Sequence, residues 1–302
     1  MLKSFLLSAG FVIACLGFID IRNAPHGVCS AQHDPTPHTL LWKVSGNGLK
    51  KPSYLFGTMH VLCAGDASLS DSLKAVIGRV DMVYFEIDLS DMSAMLNAMK
   101  YMQMKDNKKL SDLLPDKDYA KVKDYFAKHN SMLPFGMLER FKPLLISSLI
   151  EEESLACKST DGMELMIMKE MRLHNKPVKG LETVAFQAGL FDSIPYDKQA
   201  KDLVNYVDSV EEYKKMTHDL ASIYKEQDLD RIDSLTRKGD PGMNGYMDLL
   251  LYDRNRKWTG AIDTLFAGKS LLVAVGAAHL PGDEGVINLL RKRGYSLTPV
   301  KN

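Results

Sequence analysis

Two of the eight histidines stand three positions after a glycine at the end of an apolar run: Tyr54-Leu55-Phe56-Gly57-Thr58-Met59-His60 and Leu271-Leu272-Val273-Ala274-Val275-Gly276-Ala277-Ala278-His279. Both runs have β character, and a glycine at the end lets another backbone or a ligand come close. A histidine there emerges at the mouth of a sheet, where open α/β folds bind their ligands. Neutral imidazole is the commonest protein ligand for divalent metals, and a pair of them calls for an anionic third partner. Glu86 is the first choice for that partner. It follows the apolar run Met82 to Phe85, where a carboxylate is costly to bury unless a cation or hydrogen bonds compensate it. Asp88 comes second, on the same strand face by period two. Each histidine alone also reads as an ordinary structural residue; together with Glu86 the pair points to one shared site.

Other chemistries find less support. The chain has no GxSxG elbow, HExxH, P-loop or paired CxxC. Gly46 and Gly48 lack the third glycine and the following helix of a dinucleotide loop. Cys63 reads as a half-buried thiol before a nucleophile or ligand, because nothing near it in sequence is arranged to lower its pKa. Arg254 has two readings: a clamp for a carboxylate or oxyanion, and a helix-surface ion pair with Asp253 or Asp248.

The elements carrying these residues alternate in type. Leu40 to Val44 and Tyr54 to Phe56 read as a hairpin across Ser45-Gly46-Asn47-Gly48. Ser70 to Val80 has helical spacing, and Met82 to Ile87 reads as a strand buried on both faces. Helical spacing continues over Ser90 to Met104, Asp116 to His129, Phe135 to Leu155 and Asp161 to His174. Met92, Met95, Met99 and Met102 share one helix face, read as core or lid packing rather than an adaptable binding surface. Pro177 to Leu181 is a short strand; Tyr196 to Leu265 is charged, periodic and broken near Gly239 to Gly245. Ser270 to Val275 and Tyr295 to Val300 are strands flanking a helix over Asp283 to Arg293. The expected fold is α/β: a central mixed β-sheet flanked by helices, with a largely helical lobe over residues 90–174 and 196–266.

With 45% hydrophobic residues, 11 Phe and 12 Tyr in 302 positions, the chain can fill a core, which excludes disorder. Its 38 Lys+Arg balance 38 Asp+Glu, so the basic excess used for nucleic-acid binding is missing. Residues 1–20 carry one Lys before the apolar run Phe5 to Ile19 and read as an export signal. Val12-Ile13-Ala14-Cys15 resembles a lipobox with Cys15 lipidated, the preferred reading. Cleavage after Cys29-Ser30-Ala31 and a plain anchor helix are the alternatives. Residues 21–38 read as a linker and 39–302 as one domain, without a later membrane-length apolar stretch. Cys63 and Cys157 are read either as a disulfide, which export permits, or as two buried thiols.

Leu41-Trp42-Lys43-Val44, Gly57-Thr58-Met59-His60, Phe85-Glu86, Lys179-Gly180-Leu181-Glu182-Thr183, Arg254-Asn255 with Trp258, and Val275 to Gly282 together resemble the TraB/PrgY/GumN family from about Leu40 to Val300. That family is related to the Tiki membrane-associated metalloproteases and, more distantly, to erythromycin esterases and the haem-binding ChaN proteins. The resemblance implies an α/β domain in which His60, His279 and Glu86 meet in one pocket. Arg254 and Asn255 are then neighbours, and Gly57, Gly276 and Glu182 support them.

The expected function is an exported metal-dependent hydrolase acting on a peptide or amide bond. His60 and His279 would hold a divalent ion, with Zn, Mn, Co and Fe all suited to imidazole plus carboxylate. Glu86 would complete the coordination or accept a proton from water, and Arg254 would steady the carbonyl oxygen. The rival is a binding module that sequesters a peptide, haem or metal, as PrgY-like members are thought to do with a peptide signal. The expected partner is a peptide or small molecule, with the membrane touched only through the signal or a lipid anchor.

Overall fold

The computed structural model describes residues 37–302 apart from 130, 132, 156, 158 and 239–244. The export signal, Cys15, most of the linker and the break near Gly239 therefore lie outside the described residues, as does the Met95 side chain. The long apolar runs become the middle of a six-stranded mixed sheet, in the order β6 (Val178–Glu182), β4 (Met82–Ile87), β7 (Leu271–Gly276), β2 (Ser53–Thr58), β1 (Leu41–Gly46) and β8 (Tyr295–Val300). β2 and β7 are buried at every position, as strands covered by helices on both faces must be. The first four strands run parallel; β1 joins β2 as the antiparallel hairpin, with Leu41 opposite Phe56, and β8 closes the edge antiparallel to β1. On β8, Tyr295 and Leu297 face in while Ser296 and Thr298 face out, and Pro299 falls on the outer edge strand, where a missing N–H is tolerated.

The longer helices among the described residues are α1 (Asp71–Arg79), α2 (Met92–Met102), α3 (Asp116–Lys128), α4 (Pro143–Ser154), α5 (Met163–Leu173), α6 (Val184–Leu190), α7 (Tyr196–Asp208), α8 (Val210–Lys225), α9 (Leu229–Lys238), α10 (Asp253–Leu265) and α11 (Val286–Lys292). Ser70 caps α1 and Thr183 caps α6, each accepting a main-chain N–H three residues on at 3.0 and 3.1 Å. The helical lobe is the run α2 to α5 followed by α7 to α10. Among the described residues no helix is long and apolar enough to cross a membrane.

Two segments differ from the sequence reading. Phe135 to Leu155 is not one helix but a single helical turn, Phe135–Leu138, and then a fresh helix at Pro143, whose fixed φ and absent N–H suit a first helical position. Asp161 to His174 is not helical throughout: Thr160–Asp161 (β5) pairs antiparallel with Leu62–Cys63 (β3), and α5 starts only after Gly162. Alternation cannot reveal a two-residue ribbon. Cys63 and Cys157 form a disulfide beside it, so Cys63 is neither a thiol nor a nucleophile.

Candidate active site

The parallel strands β2, β4, β6 and β7 end on one side of the sheet, and the chemistry-bearing residues collect there. Glu86 and Glu182 lie at the ends of β4 and β6. Gly276 ends β7, His279 sits in the turn Ala277–His279, and His60 follows β2 by two residues. Gly57 lets the strands come this close: a Cβ there would meet the Ala277 Cα at 3.1 Å and the Leu280 side chain at 3.0 Å. Gly276 leaves a hollow. The point where its Cβ would sit is 3.3 Å from Glu86 Oε1, 3.5 Å from His60 Nε2 and 3.5 Å from the His279 ring. Residues from both GxxH segments and the strand-borne glutamate thus face one small space.

Glu86 is 3% exposed. Its Oε1 accepts the Gly276 N–H at 2.8 Å, and its Oε2 takes the Arg254 guanidinium and, at 3.3 Å, the Gln187 amide. Burial pushes this carboxyl up, but the Arg254 guanidinium, the two neighbouring imidazoles and the Gly276 N–H more than reverse that and hold it at about 2. Arg254 also pairs with Glu182 at 2.9 Å, donates to the Leu250 carbonyl at 3.0 Å and lies over the Trp258 ring. Of its two sequence readings the surface ion pair is not made: Asp248 and Asp253 pair with Arg256 instead.

The two imidazoles are held in opposite ways. His279 is fully buried; its Nδ1 lies 2.6 Å from Asn255 Oδ1, and its Nε2 accepts from Arg254 at 3.3 Å. Since guanidinium can only donate, Nε2 carries the lone pair and Nδ1 the proton. Burial, with the charges of Arg254 and His60, lowers this ring to about 3 despite Glu86, so it is neutral. His60 pairs through Nδ1 with Glu164 Oε1 at 2.6 Å. Burial opposes its charge, but Glu164, helped by Glu86, more than compensates and raises the ring above its ordinary value. A small opening lined by Glu152, Thr160, Asp161 and Leu165, with room for about one water, lies beside His60.

Asp88 is not part of this constellation. Its carboxylate accepts the Ser90 N–H at 2.9 Å and shapes the turn after β4, and it pairs loosely with Lys179. Sequence reasoning missed Glu164, Gln187 and Gly162. A signal for Glu164 existed: it shares the buried stripe of α5 with Ile167, Met168 and Met171, where a carboxylate needs a partner.

The chain matches the TraB/PrgY/gumN family over residues 40–299. It belongs to that family. Among curated proteins this TraB/PrgY/gumN member is similar to a Metalloprotease TIKI homolog of Amphimedon queenslandica, 22% identical over 90% of this chain and 63% of that one. It is likewise similar to Metalloprotease TIKI2 of Danio rerio, at 23% over 86% of this chain and 60% of that one. Metalloprotease TIKI1 of Homo sapiens is 22% identical over 91% and 65% of the two chains. The chain therefore spans less than two thirds of the length of these relatives. No solved structure matches it.

The donor chemistry fits a divalent ion of borderline softness: two imidazoles and one carboxylate oxygen around the Gly276 hollow. His279 Nε2 and Glu86 Oε1 are 3.6 Å apart, a spacing two donors on one ion can share. Among the described residues no three His, Cys, Asp or Glu are already drawn in around a single point, and the Arg254 N–H on His279 Nε2 would have to yield.

Proposed function

We propose that the protein is an exported metal-dependent hydrolase that cleaves a peptide or amide bond. The observation that carries this reading is the convergence of His60, His279 and Glu86 on the hollow beside Gly276, in a family whose curated relatives are named metalloproteases. His60, His279 and Glu86 would hold the ion, with Zn, Mn, Co and Fe as candidates. When bound, such an ion supplies Lewis acidity that polarises a carbonyl and makes water a better nucleophile.

The chain's own groups do the rest. Asn255 and Arg254 keep the His279 lone pair turned inward, and the Gly276 N–H fixes Glu86 Oε1 toward the hollow. Glu86 stays ionised to near pH 2, so it is ready to hold a cation, which so weak a base does better than taking a proton from water. Arg254 acts through Glu86 and Glu182, which occupy the donors it would need to reach a carbonyl oxygen. Export is supported by the apolar N-terminal run and by the Cys63–Cys157 disulfide, which needs an oxidising compartment to persist.

The test is cleavage of a peptide library by wild type and Glu86→Gln, with and without a chelator. Cleavage that stops on chelation, returns with added metal and falls at least ~100-fold in the variant supports the reading. Tight peptide binding without turnover in either form would replace the enzyme with a sequestering module.

A further inference from the structure

Glu164 has no place in the chemistry described so far, yet it is 3% exposed and lies 2.6 Å from the inner nitrogen of a site histidine. A buried carboxylate persists only where something compensates it, and the partner here is the His60 ring. The backbone around the pair is built for close approach. A Cβ on Gly162 would fall 2.4 Å from the His60 carbonyl oxygen and 3.1 Å from Glu164 Oε2, so only glycine lets the start of α5 lie against the His60 segment. The Met163 N–H donates to the Met59 carbonyl at 3.1 Å. The β3–β5 ribbon and the Cys63–Cys157 disulfide tie the same two segments together a few residues away. Three separate devices thus hold α5 in the register that brings Glu164 to Nδ1.

We infer that Glu164 is a positioning residue that locks His60 as the Nδ1–H tautomer with Nε2 aimed into the Gly276 hollow. A carboxylate 2.6 Å from Nδ1 accepts only if that nitrogen carries the proton, which puts the ring's lone pair on Nε2, the atom that faces the Gly276 hollow. Asn255 does the same for His279 from the other side, so the two imidazoles present their Nε2 atoms by matched but chemically different means. Carboxylate–imidazole pairs of this kind also make the ligand more basic. The role in binding an ion rests on the metal-dependent reading above; the tautomer does not.

The experiment is long-range proton–nitrogen NMR of the metal-free protein, at a pH high enough that the His60 ring is neutral, with the signals assigned by their loss in His60→Gln. Wild type shows the proton on Nδ1. Glu164→Met, similar in size but without an acceptor, loses that preference, while Glu164→Gln, which keeps an acceptor oxygen, retains it. Zinc affinity by chelator competition falls about 10–100-fold in Glu164→Met and is partly rescued in Glu164→Gln. A wild-type His60 protonated on Nε2, or a tautomer unchanged in folded Glu164→Met, overturns the inference; the wild-type measurement decides even where the variant does not fold. The expected tautomers with no zinc bound by any form would uphold the positioning role and defeat the metal reading instead.

Discussion

Arg254 and Arg256 stand two positions apart on α10 and meet opposite surroundings. Arg254 is 8% exposed and sits between Glu86 and Glu182, whereas Arg256 lies at the surface beside Asp248, Asp253 and Glu284. Removing Arg254 strands two buried carboxylates, while removing Arg256 frees three solvated ones. Arg254→Met therefore costs about 3–5 kcal/mol, and Arg256→Ala less than about 1 kcal/mol. Urea unfolding at constant slope measures both, and equal losses would contradict the assignment. The sequence made His60, His279 and Glu86 legible because each breaks a pattern: a glycine ends a strand, or a charge sits in an apolar run. Which arginine turns inward was not legible, since helical phase on a charged helix leaves both readings open. Glu164 was hidden because its helix was read for its apolar stripe and not for the charge within it.

At the scale of elements, the two strand-end glycines serve different ends. A Cβ on Gly276 meets the Glu86 carboxylate at 3.3 Å, tighter than an ordinary contact but against a side chain rather than backbone, so Gly276→Ala is expected to fold with a smaller loss than Gly57→Ala while displacing Glu86, filling the hollow and abolishing metal uptake. A Cβ on Gly57 presses on the Ala277 backbone, so Gly57→Ala is expected to lose about 1–3 kcal/mol. Thermal unfolding together with metal titration separates the two; a Gly276→Ala protein that still takes up metal refutes the hollow. On α4, Glu151 is 4% exposed, and burial, aided by Glu152, pushes its carboxyl well above the ordinary 4.5. The folded state then keeps a proton that the unfolded chain has lost, so this group makes stability fall as pH rises from 4.5. Glu151→Gln should flatten that part of a stability-against-pH curve, and an unchanged slope would show that Glu151 is not its source. The strands were readable because their apolar runs are long; the β3–β5 ribbon was not, because two residues carry no period and the paired segments lie far apart in sequence.

Over the whole molecule, a mixed sheet gathers groups from both ends of the chain at the carboxyl ends of its parallel strands. The alternation of strands and helices made that layout readable, whereas the restart at Pro143 and the packing of the helical lobe depend on contacts distant in sequence. The sheet and the segments crossing its mouth brace one small hollow, so an ion bound there should stabilise the native fold as a whole. At a free concentration 100 times its dissociation constant, such an ion adds about 2.7 kcal/mol. The most direct measurement is the metal content of protein purified from its native compartment without chelators, for wild type and for His279→Ala. One equivalent of Zn, Mn, Co or Fe per chain in wild type, lost in the variant, is the predicted result. Wild-type protein that is metal-free as isolated and takes up none of these ions on titration would contradict the account.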